Sequence, residues 1–412
     1  MLFGVGSATQ GIMQGLREAG AEVSAYLTRD YGQYGPSLLG ETFSKKEYPN
    51  PCQLLKEKKI DFVIPMSIDW ALQNWTEEFL SLNIPILSPT GEAMLLERDR
   101  DFAYKLCQKY NIPCPKSFFA RNQEEAEKIL RDQPLPYVIK NPLCSPFAPI
   151  KAIVCESIEE TKSWLPHVDY KEGVFLQEYM GRREVGHIAL ISGGEIYSLI
   201  TNQEYKYAYD GSMGIVAGAQ LGGLVEKDPN DKYELAKTLL HPLLLWFRKS
   251  NFHGPVQVTA ALHNGKWKVL EYNVRLGVMC GPVIVKMLTD PTQVLWNVAR
   301  NQKPAINMHE NINFGCSITL AGYGYPYTEI IGPHFPVTIN GNFTCDVLWS
   351  EVITDENGVL FTTGHRIADI IAVKPSLKEA IEEAYENIRK IRCLGSYYRT
   401  DVGKSLWPPG NK

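Results

Sequence analysis

Three polar side chains alternate along one apolar segment, KVLEYNVRLG at 268–277: Glu271, Asn273 and Arg275. In a strand, residues two apart lie on the same face, so the three side chains would converge. Carboxylate and amide oxygens on a rigid strand suit magnesium, and a fixed guanidinium binds phosphate or carboxylate oxygens. The spacing is therefore typical of phosphoryl or acyl-phosphate chemistry, although an edge strand with three solvated side chains gives the same alternation.

Other charged residues precede this segment in an order that suits a nucleotide. Lys140 ends an apolar strand, where a buried stem can carry the ammonium to one phosphate, and Arg100 can serve a second phosphate. Glu178 ends the segment GVFLQEY, where a strand leaving the core offers backbone groups to an adenine edge. Glu184 can accept hydrogen bonds from ribose hydroxyls. By default both glutamates are ordinary surface residues.

The N-terminal elements predict an open parallel sheet. An apolar strand, a glycine turn, an amphipathic helix and a second strand begin a βαβ layer, and apolar strands at 60–65 and 84–87 flank a helix-like stretch at 69–82. The glycines at 4, 6 and 11 miss the G-x-G-x-x-G spacing, and no acidic residue ends the second strand. A nicotinamide-dependent enzyme is therefore a weak alternative.

The rest of the chain predicts a mixed α/β and α+β fold in two further domains. Between 91 and 305 we expect helices over 95–110, 124–131 and 233–250, and strands at 137–140, 173–179, 187–191, 196–200 and 254–262, with a hairpin turn at 263–266. A small lid lobe covers about 113–180. Residues 306–412 predict a separate sheet-rich C-terminal α+β domain, with strands at 313–320, 337–340, 344–348 and 367–373 and a helix over 377–390. The N-terminal domain covers 1–90.

Composition favours an ordinary globular protein of the cytoplasm. The 412 residues are 44% hydrophobic and 21% charged with a net charge of -4, so no broad cationic surface favours nucleic acid. The nine cysteines include no Cys-x-x-Cys pair, as expected of reduced thiols. No apolar run reaches about 18 residues and no signal peptide is recognisable, so neither membrane insertion nor secretion is expected. No histidine pair has zinc-ligand spacing and no G-x-S-x-G elbow occurs.

This succession of residues resembles the ATP-grasp superfamily, and within it the glycinamide ribonucleotide synthetase (phosphoribosylamine-glycine ligase) family, over about residues 1 to 403. The family's magnesium-holding Glu-x-Asn-x-Arg strand is matched by LEYNVRLG, and its glycine with two glutamates by GRREVG. SPTGEAMLLERDRDFAYKLCQKYNIPCP is similar to the family's linker, with Arg100 in place of the usual lysine. ITLAGYGYPY and the RTDVG at 399–403 resemble its C-terminal domain. The resemblance implies a central ATP-grasp fold.

The resemblance also implies roles for individual residues. ATP-binding positions are Arg100, Lys140, Gln177, Glu178, Met180 and Glu184. Glu271 and Asn273 are the implied ligands of Mg²⁺, with Mn²⁺ as an alternative ion, and Arg275 and Lys206 are the implied catalytic residues.

The departures from the family cluster where it contacts its substrates and the γ-phosphate. Lys140 is followed by NPLCSPFAPIK, with three prolines and no glycine, where the family has a glycine-rich loop. Prolines remove amide donors and stiffen the loop. The family's N-T-G-G-M-G stands as VAGAQL at 216–221, its D-H-K-R as EYKY at 204–207, and its G-D-P-E as GVMC at 277–280. Apolar and aromatic replacements suit a bulkier or less anionic substrate, namely Val216, Tyr205, Tyr207 and Trp70.

The implied activity is an ATP-dependent carboxylate-amine ligase that forms an acyl phosphate and releases ADP and phosphate, as in purine biosynthesis. Its partners are then a small-molecule acid and amine, and the protein is a monomer or a homodimer. Two alternatives stay open: a diverged paralogue that joins another acid or amine, and a catalytically inactive nucleotide-binding module.

Overall fold

The computed structural model describes residues 1–144, 152–327 and 333–404. The N-terminal part is an open parallel sheet in the order β3-β2-β1-β4, as predicted, built from β1 (Leu2–Phe3), β2 (Ser24–Leu27), β3 (Glu41–Ser44) and β4 (Ile64–Pro65). A parallel bridge from Val63 to Ile86 extends it. The accompanying helices are α1 (Gly6–Glu18), α2 (Tyr34–Ser37), α3 (Cys52–Glu57) and α4 (Thr76–Ser81).

Two of the helices predicted within the first 110 residues are interrupted by polar side chains that cap a helix start. The stretch at 69–82 is a 3₁₀ turn at Ile68–Leu72, begun by the Ser67 hydroxyl, followed by an extended Gln73 and then α4. The helix predicted over 95–110 is split into α5 (Leu95–Arg98) and α6 (Arg100–Lys109). Asp99 has extended backbone angles, and its carboxylate accepts from the amides of Asp101 and Phe102. The bend brings Glu97 and Arg100 to one cleft.

A small α+β lobe follows, as predicted, and we call it the lid. Its elements are β5 (Ser117–Ala120), α7 (Gln123–Asp132), β6 (Tyr137–Lys140), β7 (Ile153–Val154), α8 (Ile158–Trp164) and β8 (Val174–Glu178), with a 3₁₀ turn at Leu165–His167. The antiparallel sheet order is β5-β8-β6-β7. Tyr137, Ile139 and Leu176 are buried in a core separate from the rest of the molecule. The second half of the NPLCSPFAPIK loop, at 145–151, lies outside the described residues.

The chain then enters the central sheet. The strands that follow along the chain are β9 (Val185–Ser192), β10 (Glu195–Tyr205), β11 (Tyr207–Tyr209), β12 (Met213–Val216), β13 (Gly222–Lys227), β14 (Gly254–His263) and β15 (Lys266–Asn273). Strands β11 and β12 form a separate hairpin, and the others belong to the central sheet. The hairpin between β14 and β15 turns at Asn264 and Gly265, both with positive φ, as a two-residue turn requires. The helix predicted over 233–250 is instead α9 (Leu235–Leu239), a 3₁₀ turn at His241–Leu243 and α10 (Leu244–Lys249), because Pro242 cannot continue a helix.

The part of the chain after residue 305 is rich in strands, as predicted, and three of the strands described there extend this same sheet. The strands that join it are β16 (Phe314–Ala321), β18 (Asp346–Trp349) and β21 (Arg366–Lys374). Strand β17 (Thr338–Ile339) pairs with β22 (Ile391–Arg392), and β19 (Val352–Thr354) pairs with β20 (Leu360–Thr362), in separate two-stranded sheets. The antiparallel pairing of β13 with β16 makes one sheet of eight strands, in the order β15-β14-β9-β10-β13-β16-β21-β18. Helices α11 (Cys280–Met287), α12 (Pro291–Ala299) and α13 (Leu377–Ile388) cover it. Among the described residues no helix is long and apolar enough to cross a membrane.

Candidate active site

A cleft of about 1020 Å³ lies between the lid and the central sheet. All ten residues predicted from the sequence line it: Arg100, Lys140, Gln177, Glu178, Met180, Glu184, Lys206, Glu271, Asn273 and Arg275. They come from α6, from two lid strands, from the connection to β9 and from β10–β11 and β15. The fold therefore gathers residues separated by up to 175 positions around one cavity.

Strand β15 presents the polar row that the alternation predicted. Glu271 and Asn273 lie on the cleft side, while Tyr272 between them is buried and donates to the Leu239 carbonyl at 2.9 Å. Arg275 follows the strand end, with Nη2 donating to Asn273 Oδ1 at 3.4 Å. A carboxylate, an amide oxygen and a guanidinium thus share one wall.

Lys206 lies among three carboxylates. Its Nζ is 2.6 Å from Glu184 Oε2, 3.2 Å from Glu204 Oε2 and 3.3 Å from Glu271 Oε1. Burial acts to lower the pKa of Lys206, but the surrounding carboxylates raise it well above its ordinary value. The lysine is therefore a fixed cation at neutral pH.

Glu271 is held ionised by cations on both sides. Arg100 Nη1 lies 3.4 Å from Glu271 Oε2, opposite the oxygen that contacts Lys206. Burial alone would raise the pKa of Glu271, but Lys206, Lys140 and Arg100 hold it well below the ordinary value. Both carboxylate oxygens are therefore paired with cations in this structure.

Lys140 projects from the end of β6 beneath the lid. Its Nζ donates to Gln177 Oε1 at 2.8 Å, and Gln177 in turn donates to the Leu270 carbonyl of β15 at 3.0 Å. Burial, reinforced by the positive charge of Arg100, lowers the pKa of Lys140 to about 8. Arg100 also donates to the Asn141 carbonyl at 3.0 Å, so two cations face the same part of the cleft.

The connection from the lid to β9 carries the remaining predicted residues. The Glu178 carboxylate accepts from the Lys116 amide at 3.1 Å, and the Glu178 amide donates to the Lys116 carbonyl at 2.8 Å. Met180 is half-buried on the cleft wall, and Glu184 contacts Lys206.

Two buried acidic residues of the site were missed by sequence reasoning. Glu97 is 4% exposed; its Oε1 accepts from Arg275 Nε at 3.0 Å and its Oε2 from the Val274 amide at 2.6 Å. Glu204 accepts from Gln257 at 2.7 Å and pairs with Lys206. The charge of Glu97 raises the pKa of Arg275, which burial opposes.

Two family models match the chain in sequence. The model described as phosphoribosylglycinamide synthetase, ATP-grasp (A) domain, matches residues 98–279, and the corresponding C domain model matches residues 315–405. The chain is an ATP-grasp protein of the phosphoribosylglycinamide synthetase type. ATP-grasp proteins of this type are ADP-forming ligases that make carbon–nitrogen bonds, and the chain belongs to that class.

Curated and solved relatives agree with this assignment. The chain is 25% identical over 372 residues to a phosphoribosylamine–glycine ligase of Fusobacterium nucleatum, covering 86% of this chain and 85% of that protein. A phosphoribosylamine–glycine ligase of Clostridium acetobutylicum is 27% identical, with 80% of each chain covered. In fold, the chain is similar to the crystal structure of phosphoribosylamine–glycine ligase from Thermotoga maritima, with a TM-score of 0.78 at 23% identity and coverage of 97% and 99%.

The far end of this ATP-grasp cleft, away from Lys140, is lined by the C-terminal strands. Arg366 on β21 is half-buried, and its buried Nη1 has no hydrogen-bond partner within the described parts of the chain. Its Nη2 lies 3.7 Å from Glu351, which also faces His365 Nδ1 at 3.2 Å. A guanidinium with a buried, unpartnered Nη1 on the cleft wall indicates an anion-binding position.

The predicted substrate-wall residues divide into two groups. Tyr207 and Val216 are half-buried on the cleft wall, and Tyr205 reaches it as well, with its hydroxyl accepting from the Gly403 amide at 2.9 Å. Trp70 does not line the cleft. It is 5% exposed and packs against Phe79 in the N-terminal core, so its assignment to the substrate wall is wrong.

A second polar cluster lies in the central sheet beside β9, with His187, Asp228 and Asp231 close enough to bind a metal ion. Its acceptors are already occupied: Asp231 accepts from two amides of the α9 start, and Asp228 accepts from the Lys232 amide and the Thr201 hydroxyl. Burial lowers the pKa of His187, against the effect of both aspartates. This satisfied network stabilises the fold.

Proposed function

We propose that the chain joins a carboxylate to an amine at the expense of ATP, and that glycine and phosphoribosylamine are the acid and the amine. The observation that carries the proposal is the convergence of three cations, a carboxylate and an amide oxygen on one cleft: Arg100, Lys140, Arg275, Glu271 and Asn273. The names of the curated relatives support the choice of substrates.

In this proposal, Arg100 and Lys140 bind the α- and β-phosphates of ATP, and both are already directed at the same part of the cleft. Gln177, Glu178, Met180 and Glu184 contact the adenosine. Glu271 and Asn273 hold Mg²⁺, or Mn²⁺ in its place. The donor set fits a hard cation, because one ionised carboxylate and one amide oxygen face the same cleft. A bound ion would neutralise charge on the phosphate oxygens.

The reaction then needs no nucleophilic side chain. A carboxylate oxygen of the acid attacks the γ-phosphorus of ATP, and ADP leaves. The amine nitrogen attacks the carbonyl carbon of the acyl phosphate, phosphate leaves with the bonding electron pair, and the amine loses a proton. Arg275 and Lys206 offset the negative charge that accumulates on the transferred phosphoryl group, and Glu97 fixes the Arg275 guanidinium.

The far end of the cleft supports an anionic amine substrate. Arg366, with its unpartnered Nη1, is suited to a phosphate, and phosphoribosylamine carries one. A second candidate is a paralogue that uses a bulkier acid or amine, which the half-buried Tyr207 and Val216 of the cleft wall favour.

We also propose that the enzyme works in the cytoplasm. The nine cysteines are all free thiols, which suits a reducing cytoplasm. The domain limits at 90 and 305, and the state of monomer or homodimer, remain predictions. The partners are small molecules rather than nucleic acid or membrane.

The deciding experiment is ADP release with ATP, magnesium, glycine and freshly generated phosphoribosylamine, beside a panel of other acids and amines. Release that requires both purine-pathway substrates supports the proposal; release only with other pairs indicates the paralogue. Glu271→Gln should lose roughly a hundredfold in rate, about 3 kcal/mol, because the ionised ligand proposed for the magnesium ion that offsets the phosphate charge is removed. Absence of turnover with every pair, together with tight ATP binding, would indicate the inactive nucleotide-binding module.

A further inference from the structure

Arg182 connects three separate elements at the edge of the cleft. It lies between β8 and β9, in the connection from the lid to the central sheet. Its Nε donates to Glu156 Oε1 at 2.5 Å, its Nη1 donates to the Ser212 carbonyl at 2.7 Å, and its guanidinium lies 5.5 Å from the ring centroid of Tyr207. One side chain thus touches the lid and the β11–β12 hairpin at once.

The lid end of this connection is rigid. Glu156 precedes Ser157, the N-cap of α8. The Glu156 amide donates to Glu160 at 2.6 Å, while the Ser157 hydroxyl accepts from the Glu160 amide at 3.1 Å. This reciprocal capping fixes the backbone that carries the Glu156 carboxylate. A movement of the lid therefore moves the partner of Arg182.

The hairpin end is equally constrained. Ser212 lies at the tip between β11 and β12, where Gly211 and Ser212 both have positive φ. On the other side of the tip, the Gly211 amide donates to Asp401 Oδ2 at 2.8 Å, and Asp401 pairs with the buried Arg399. The tip is thus held between the C-terminal segment and Arg182.

Stability does not explain this arrangement. The side chains of Arg182 and Glu156 are 42% and 34% exposed, and an ion pair this exposed adds little to folding free energy. What the planar guanidinium provides is a fixed geometry across two parts of the molecule that could otherwise move independently. Tyr207, Ser212 and Val216 of the hairpin line the same cleft as Lys140 under the lid.

We propose that Arg182 is a positioning residue that couples nucleotide binding under the lid to the β11–β12 hairpin, which walls the substrate end of the cleft. The inference rests on the proposed ATP-binding function. A nucleotide that fixes the lid also fixes Glu156. Because Arg182 binds Glu156 on one side and the Ser212 carbonyl on the other, the tip of the hairpin is then fixed as well. By reciprocity, a substrate held against the hairpin tightens nucleotide binding by the same factor.

Hydrogen–deuterium exchange tests the coupling without any turnover. Amide exchange in residues 207–216 is measured with and without the non-hydrolysable ATP analogue AMP-PNP and magnesium. In the wild type, AMP-PNP should slow exchange by roughly fivefold or more, the lower limit of typical coupling factors. In Arg182→Ala the slowing should disappear, although AMP-PNP still binds. Arg182→Lys keeps the positive charge but loses the planar, two-pronged guanidinium, so it should retain part of the slowing.

Two further variants sharpen the result. Glu156→Gln weakens the link at the lid end and leaves the Ser212 contact in place, so it should also lose the slowing. Arg131→Ala is the matched control, because Arg131 is an exposed lid arginine that pairs with Glu127 on its own helix. It should behave as the wild type.

The outcomes separate the two proposals. Equal slowing in the wild type and Arg182→Ala, or no slowing in a wild type that binds AMP-PNP, would overturn the coupling and leave the ligase proposal intact. A wild type that does not bind AMP-PNP would overturn both.

Discussion

At the level of single residues, the geometry of Arg275 depends on Glu97. Glu97→Gln keeps the side-chain volume but leaves the guanidinium without its buried counter-ion. We expect kcat to fall by roughly tenfold or more with little change in KM for ATP, since the proposed role of Arg275 is to offset charge on the transferred phosphoryl group. Unfolding free energy should drop by about 3 kcal/mol, as when a buried ion pair is broken.

Steady-state ADP release and urea unfolding measure these two effects of Glu97→Gln. Glu124→Gln is the control, because Glu124 is an exposed lid glutamate remote from Arg275. If Glu97→Gln had the wild-type kcat, the ion pair with Glu97 would not be needed to position Arg275.

Lys140 predicts a pH dependence of nucleotide binding. Burial lowers the pKa of Lys140 from 10.5 to about 8. Between pH 8 and pH 10.5 the folded chain therefore binds fewer protons than the unfolded chain. The cost of burying the charged lysine is thus relieved, and folding stability rises, as pH increases across that range. Phosphate binding needs the charged form. KM for ATP should therefore rise above about pH 8, by up to roughly tenfold per pH unit.

The comparison for Lys140 is Lys140→Arg, whose guanidinium stays charged. Its KM for ATP should lack the break near pH 8. A wild-type KM that stays constant from pH 7 to 9.5 would contradict the assignment of Lys140 to the phosphates.

The residues of the site differ in how far the sequence predicts them. Glu271 and Asn273 lie two positions apart on β15, so strand alternation places them together, and Arg275 follows only two residues after the strand end. Glu97 and Arg366 have no such neighbours, because each reaches the cleft through tertiary packing of a distant segment. Only a burial pattern over several related sequences would have separated them from surface charges.

At the level of elements, the β14–β15 hairpin holds the polar residues of β15 in register. Gly265 has a φ of 72° with open space around its Cβ position, so only backbone conformation limits substitution there. Gly265→Val should cost about 1–2 kcal/mol of stability, whereas Gly265→Asn should cost clearly less, because asparagine tolerates the left-handed conformation. Urea unfolding of both variants measures this, and equal stabilities would contradict the turn assignment.

Elements governed by local chemistry were predicted well. Strand Tyr137–Lys140 and the Asn264–Gly265 turn agree with the sequence expectation residue for residue. The helix breaks at Asp99 and Pro242 were missed, since the apolar periodicity continues across both positions. An asparagine, aspartate or proline inside an apolar periodic stretch is therefore a stronger sign of a helix break than the periodicity is of a continuous helix.

At the level of the whole molecule, one sheet crosses the expected boundary at residue 305. The pairing of β13 with β16 joins strands about 90 positions apart, and such long-range pairing leaves no periodic trace in the sequence. Helix α1, near the start of the chain, also contacts the C-terminal strand β18. The Gln10 side chain accepts from the Trp349 amide at 2.6 Å, and Gln14 donates to Asp346 at 3.0 Å. The N-terminal and C-terminal segments thus share one core.

A fragment of residues 1–305 should therefore fail to fold independently. Removing the remainder exposes the edge of β13 and the buried face of Leu224, which packs with Ile318 and Ile370. We expect aggregation on size-exclusion chromatography and no cooperative urea transition, with recovery when residues 306–412 are co-expressed as a second chain. A soluble monomeric fragment that unfolds cooperatively would mean that the first 305 residues form a complete folding unit, and that the C-terminal strands extend a sheet that is already stable without them.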